Sequence, residues 1–146
     1  MRNILAAVDF SDVTQRLIKN AALFAHSFDA HLWLVHVAPL DGEPANYDAG
    51  PQEVRDNVAK TIRKEHKELR DIADDLEKDG ATVTALMVGG DVSDEIVKQA
   101  DKTNADMIVI GSHGKGGILD SLMGSICQAI VRKATVPVTV VPSREK

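Results

Sequence analysis

Five short apolar runs recur along the chain, and segments of helical period separate them. The runs are 4–8 (ILAAV), 32–37 (LWLVHV), 83–88, 107–110 and 136–141, the last from Val136 to Val141 (VPVTVV). Apolar residues at successive positions suit strands that are covered on both faces, as parallel strands between helices are. Helical spacing of Val13, Leu17, Ala21, Phe24, Ala25 and Phe28 predicts a helix over 13–27, with Ser11-Asp12 offering an N-cap. A long helix is expected from Pro51 to about Asp79, its apolar stripe running through Val54, Val58, Ile62, Leu69, Ile72, Ala73 and Leu76, with His66 on the same stripe and Gly80 ending it. Two shorter helices are expected over 92–102 and 124–133. Gly89-Gly90 is expected to break the third strand.

Strictly alternating strands and helices predict one α/β domain over residues 1–146: an open, five-stranded parallel sheet with helices on both faces. Right-handed crossovers favour the strand order 3-2-1-4-5, a Rossmann-like topology. Its switch point lies between the first and fourth strands, where ligands of open α/β sheets bind beyond the carboxyl ends. Those ends carry Asp9 and Gly111.

From Asp106 to Ala134 the sequence reads DMIVIGSHGKGGILDSLMGSICQAIVRKA. A strand, a glycine-rich loop and a helix start follow one another, an arrangement that cradles phosphate. Glycines let backbone N–H groups approach an anion, and the helix N-terminus adds unpaired donors and a partial positive charge. The spacing G-x2-G-x9-G-S falls on Gly111, Gly114, Gly124 and Ser125. Neither a Walker A loop nor a G-x-G-x-x-G turn after the first strand is present. The alternative is a long βα loop that uses glycines only for turns.

Other residues leave two readings open. Asp9 either accepts ribose hydroxyls or caps the first helix. Lys115 either neutralises phosphate charge, directly or through magnesium, or is a solvated loop lysine. His113 either bonds to ligand or serves a turn. His36 near the crevice reads as a satisfied core histidine and Cys127 as a small core residue. The histidines show no metal-ligand spacing, and no nucleophile elbow is present. ATP hydrolysis needs a positioned water, a metal and a base. No convincing base stands out, so binding rather than turnover is expected, with slow hydrolysis or self-phosphorylation at Ser121 or Ser125 left open.

A net charge of −5 gives no general reason for nucleic-acid binding. The single cysteine suits a reducing compartment. The first apolar run is too short for a signal-peptide core and no run approaches a membrane span, so a cytoplasmic protein without membrane insertion is expected. The connection from Ala38 to Pro51, rich in Pro, Gly and Asp and holding Tyr47, is long enough to be functional or mobile.

The sequence resembles the universal stress protein (UspA) family in its ATP-binding branch. ILAAVDFSD, LVHV, GGDVSDEI, the complete glycine segment and VPVTVV carry the resemblance over essentially the whole chain. It implies an adenine nucleotide alpha hydrolase-like fold and a site for ATP, with AMP or ADP as further ligands and Mg2+ accompanying the nucleotide. Ala7 would line the adenine pocket, Asp9 would lie beside the adenosine, and Val37 would offer backbone groups to the adenine edge. Gly111, Ser112, His113, Gly114 and Lys115 would wrap ribose and phosphates, while Gly124, Ser125 and Ile126 would close on the phosphates from the helix start. The resemblance also implies a regulatory, non-enzymatic protein of the stress response. It would pair two copies through the edge strand Val136 to Val141 and report nucleotide state to a protein partner. Two positions depart from the family: Phe10 stands where glycine is common, and Val92 where proline often precedes the third helix. An interaction module that works through its dimer surface is the rival from another class. An ATP pyrophosphatase would want an S-G-G-x-D-S loop, where this chain has VDFSD.

Overall fold

The computed structural model describes residues 1–39, 52–113 and 123–144. Strand β1 (Asn3–Ala7) leads to helix α1 (Thr14–Phe28), and β2 (His31–Pro39) to α2 (Gln52–Lys78). Then come β3 (Val83–Gly90), α3 (Val92–Lys102), β4 (Met107–Gly111), α4 (Ser125–Lys133) and β5 (Val138–Val141). The strands form one sheet in the order β3-β2-β1-β4-β5, and every described pairing is parallel. The sheet order and the β/α alternation are those expected from the sequence.

The pleat of the sheet divides the core in two. Ile4, Ala6, Val8, Leu32, Leu34, Met107 and Val109 face α1 and α2, meeting Leu17, Ala21, Leu69 and Ala73. Leu5, Val35, Val37, Ile108 and Ile110 face α3 and α4, meeting Ile96, Ala100, Cys127 and Ile130. Central strands buried on both sides explain why their sequences are apolar without alternation.

Several boundaries move for physical reasons. β3 does not break at Gly89-Gly90; it pairs on through them, Ala38 opposite Gly89 and Pro39 opposite Gly90. Gly90 takes φ +139, a conformation that favours glycine. β2 accordingly claims Ala38 and Pro39 from the expected loop, and the rest of that connection lies outside the described residues. β5 begins at Val138, and Pro137 before it lends only its carbonyl, to Ile108 N–H at 3.0 Å. Gly80, at φ +95, follows the end of α2 as expected.

Neither Ser11 nor Asp12 caps α1, whose N-cap position is Val13 without a side-chain bond. The α2 stripe also differs from expectation. His66 is exposed, and Glu65 occupies that turn of the inward face instead. Its spacing from Ile62 and Leu69 is the three-and-four step of one helix side. At the opposite end of the sheet, Asp106 Oδ2 accepts from Arg2 N–H (2.6 Å) and Asn3 N–H (2.9 Å), stapling the start of β1 to the start of β4. Among the described residues no helix is long and apolar enough to cross a membrane.

Candidate functional site

Strand order changes direction between β1 and β4, and the chain leaves β1 there through a left-handed residue, Phe10. After Ala7, Val8 still donates to Val35 O at 2.8 Å, and then the chain turns away from β2. Asp9 Oδ1 accepts from Ser11 N–H at 2.9 Å and lies 3.5 Å from Thr14 Oγ1. One Asp9 oxygen thus closes a turn onto Ser11, and Asp9 does not cap α1, whose N-cap is Val13 without a side-chain bond. Oδ2 has no partner among the described residues. Ser11 Oγ beside it is buried and has no hydrogen-bond partner among the described residues.

Phe10 adopts φ +58, the left-handed region where glycine is favoured. Its ring lies 4.8 Å from the His36 ring, centroid to centroid. His36 is 5 % exposed and bonded at both nitrogens, Nδ1 to Val8 O (2.7 Å) and Nε2 to Glu65 Oε2 (2.8 Å). It is the satisfied core histidine expected from the sequence. Phe10 and Glu65 were not singled out as its partners. The signals were present: a side chain where glycine is usual, and a carboxylate on the apolar stripe of α2.

Ala7 and Val37 face the α3/α4 side together. Backbone groups of β2 alternate between its two neighbours, and His31 N–H and Val35 O face β1. Val37 shares their parity. Since β1 has turned away beyond Val8, the Val37 amide and carbonyl face the crevice.

On β4, Gly111 sits closely against the start of α1. A Cβ there would come within 3.3 Å of Val13 Cγ1 and 3.4 Å of the His113 carbonyl oxygen. Ser112 is buried, and each of its polar groups is engaged. Its N–H donates to Val141 O (2.9 Å) and its carbonyl accepts from Gly124 N–H (2.8 Å). Its hydroxyl accepts from Ser143 N–H (3.2 Å) and meets His113 Nδ1 (3.0 Å). Ser112 thus ties the end of β4 to the start of α4 and to the tail beyond β5. Gly114, Lys115 and Ser121 lie outside the described residues.

Gly124 is the N-cap of α4, at φ −67 and ψ 160, with no side-chain cap bond. Its amide is spent on Ser112, so free donors at this helix start begin at Ser125. The amides of Ser125, Ile126 and Cys127 have no acceptor one turn back within the helix, and the macrodipole adds partial positive charge there. Ser125 and Ile126 are exposed. α3 begins differently. Asp91 caps it, accepting from Asp94 N–H at 3.0 Å. That bond, with the Ser93 hydroxyl, holds the Asp91 carboxyl below the usual carboxylate range. Val92, where the family often has proline, is its first helical residue, a position that tolerates proline. The start of α3 is closed by its own carboxylate, and that of α4 has no side-chain cap among the described residues.

These residues flank the switch point, where open α/β sheets leave a crevice beyond the strand ends, with an Asp9 carboxylate oxygen on the β1 side and the start of α4 on the β4 side. The Gly111–Val13 contact and the Ser112–Gly124 bond join the two sides. Such an arrangement can accept hydroxyls at Asp9 and an anion at α4. Strand order and helix placement together define an open α/β domain of the doubly wound class. The chain belongs to the universal stress protein family, which it matches over residues 1–142. It is 34% identical to universal stress protein A homolog 1 of Coxiella burnetii, covering 99% of this chain and 98% of that one. The solved structure of protein MJ0577 of Methanocaldococcus jannaschii superposes with a TM-score of 0.81 at 27% identity, covering 99% of this chain and 98% of that chain. The universal stress protein of Archaeoglobus fulgidus solved in complex with dAMP superposes at 0.69 with 25% identity, covering 96% of this chain and 97% of that one.

Proposed function

We propose that the chain is an ATP-binding universal stress protein, a cytoplasmic, regulatory homodimer that reports nucleotide state to a protein partner. The observation that carries this reading is the open start of α4, held by Ser112 at the end of β4 across the switch point from Asp9. Phosphate groups would meet the Ser125 and Ile126 amides and the segment holding Gly114 and Lys115, which would also serve Mg2+ bound to the nucleotide. Ribose hydroxyls would meet Asp9, and the adenine edge the Val37 backbone beside Ala7. The Archaeoglobus fulgidus relative was solved with dAMP, an adenine nucleotide, which supports this ligand class. AMP and ADP would occupy the same site with fewer phosphate contacts. Binding, not turnover, is the proposed activity.

Thermal unfolding with and without Mg-ATP tests the reading. At a hundredfold excess over Kd, binding adds about 2.7 kcal/mol of stability, an upward shift of roughly 5–10 °C for a chain of this size. Gly124→Val should remove the shift and leave the unliganded midpoint nearly in place, because φ −67 suits any residue. An unshifted wild-type midpoint, together with purified protein free of nucleotide, would overturn the proposal.

A further inference from the structure

We propose that His36 is a positioning residue for the Asp9 turn, that Glu65 holds it in that role, and that helix α2 thereby helps set nucleotide affinity. The proposal rests on the nucleotide reading above. His36 grips the chain on both sides of Asp9, through the Val8 carbonyl before it and the Phe10 ring after it. Val8 is the last residue of this segment whose amide still bonds to β2, and its carbonyl turns to the imidazole. A carbonyl only accepts, so Nδ1 carries hydrogen. An ionised carboxylate also only accepts, so one proton lies between Nε2 and Glu65 Oε2, on either atom. With the proton on either atom the pair is neutral overall and Nδ1–H stays directed at Val8.

Without Glu65 the ring loses its anchor at Nε2 and is held only by Val8 and Phe10. A neutral imidazole can carry its hydrogen on either nitrogen, and the Nε2–H form would set the Nδ1 lone pair against the Val8 carbonyl. The Val8 carbonyl therefore selects the Nδ1–H form, and the Glu65 bond at Nε2 holds the ring in the plane that keeps this hydrogen on Val8. The same ring seats Phe10, whose left-handed backbone disfavours a side chain unless its surroundings hold it there. Between these two anchors Asp9 commits Oδ1 to Ser11 and Thr14, which leaves Oδ2 for a ligand. The control comes from α2 itself, outside the loops that line the crevice: position 65 lies inward, whereas Glu68 pairs with Lys64 at the surface.

Calorimetric titration with Mg-ATP of the wild type, Glu65→Gln, Glu65→Ala and the control Glu68→Ala tests the relay. Glu65→Ala should weaken binding about tenfold, the scale of one lost charge-assisted hydrogen bond. Glu65→Gln should stay within about twofold of wild type, as Glu68→Ala should, because the glutamine amide can donate to Nε2 and keep Nδ1–H on Val8. A second readout needs no nucleotide. The Ser11 amide, tied to Asp9, should exchange its hydrogen faster in Glu65→Ala than in Glu65→Gln, with Val109 unchanged in both. Wild-type affinity in Glu65→Ala with unaltered Ser11 exchange would overturn the proposal, and so would equal damage in Glu65→Gln. If the wild type binds no nucleotide, the ligand reading fails, and Ser11 exchange alone decides whether His36 positions the turn.

Discussion

Asp106 holds two backbone amides with one oxygen, and the two bonds set how its charge responds to acid. The Asn3 amide foremost, then that of Arg2, keeps its carboxyl below the ordinary value of 3.8. A carboxylate whose pKa falls on folding stabilises the fold above its unfolded pKa, and that contribution is lost as pH falls through the lowered folded value. Asp106→Asn should therefore unfold at a lower temperature than wild type near neutral pH, and the gap should narrow as the solution is acidified below that range. A gap that stays constant down to strongly acid pH would show that the charge of Asp106 is not what its two bonds use. Residue roles were the least legible level of the sequence. Asp9 could be located at the end of β1, but that one of its oxygens closes a turn, and the other does not, depends on Ser11 and Thr14 lying in reach. Gly111 reads as a phosphate loop glycine, and the side chain it packs against, Val13, lies far from it in sequence. Glu65 was hidden because a charged residue within a mixed-charge helix reads as solvated until a buried histidine is found opposite it.

Elements were read mostly from the apolar runs, and they shifted where backbone pairing outlasts apolar side chains. β2 and β3 extend through Ala38-Pro39 and Gly89-Gly90 because the ladder needs only amides and carbonyls, which hydropathy does not report. α2 fastens to the sheet by the fully buried Leu69 and nearly buried Ala73, with Ile72 and Leu76 beside them. β5 is the outermost strand beside β4, and Val138 and Val140 are half-buried against the α3/α4 core. An apolar edge strand invites pairing with another chain, and the proposed dimer pairs two copies there. Val140→Glu should sediment as a folded monomer. A variant that remains dimeric would remove β5 from the interface.

At the scale of the whole molecule the sequence was most informative. Alternation of strand and helix, one apolar run per strand and right-handed crossovers leave few topologies, and the observed order is the one they favour. The same topology located the crevice before any side chain was placed, because a switch point is a property of strand order. The open start of α4 has a further consequence for Cys127, the chain's single thiol. It lies 4 % exposed three residues beyond Gly124, and burial pushes its pKa up. Thiolate is the reactive form, so a disulfide reagent reaches this sulfur only when α4 lifts from the sheet. Mg-ATP at a hundredfold excess over Kd should slow that labelling about a hundredfold if lifting α4 dismantles the site. An unchanged rate would show that α4 opens without releasing nucleotide. The buried cysteine is thus a clock wired to one helix, and its ticking can be read without a protein partner.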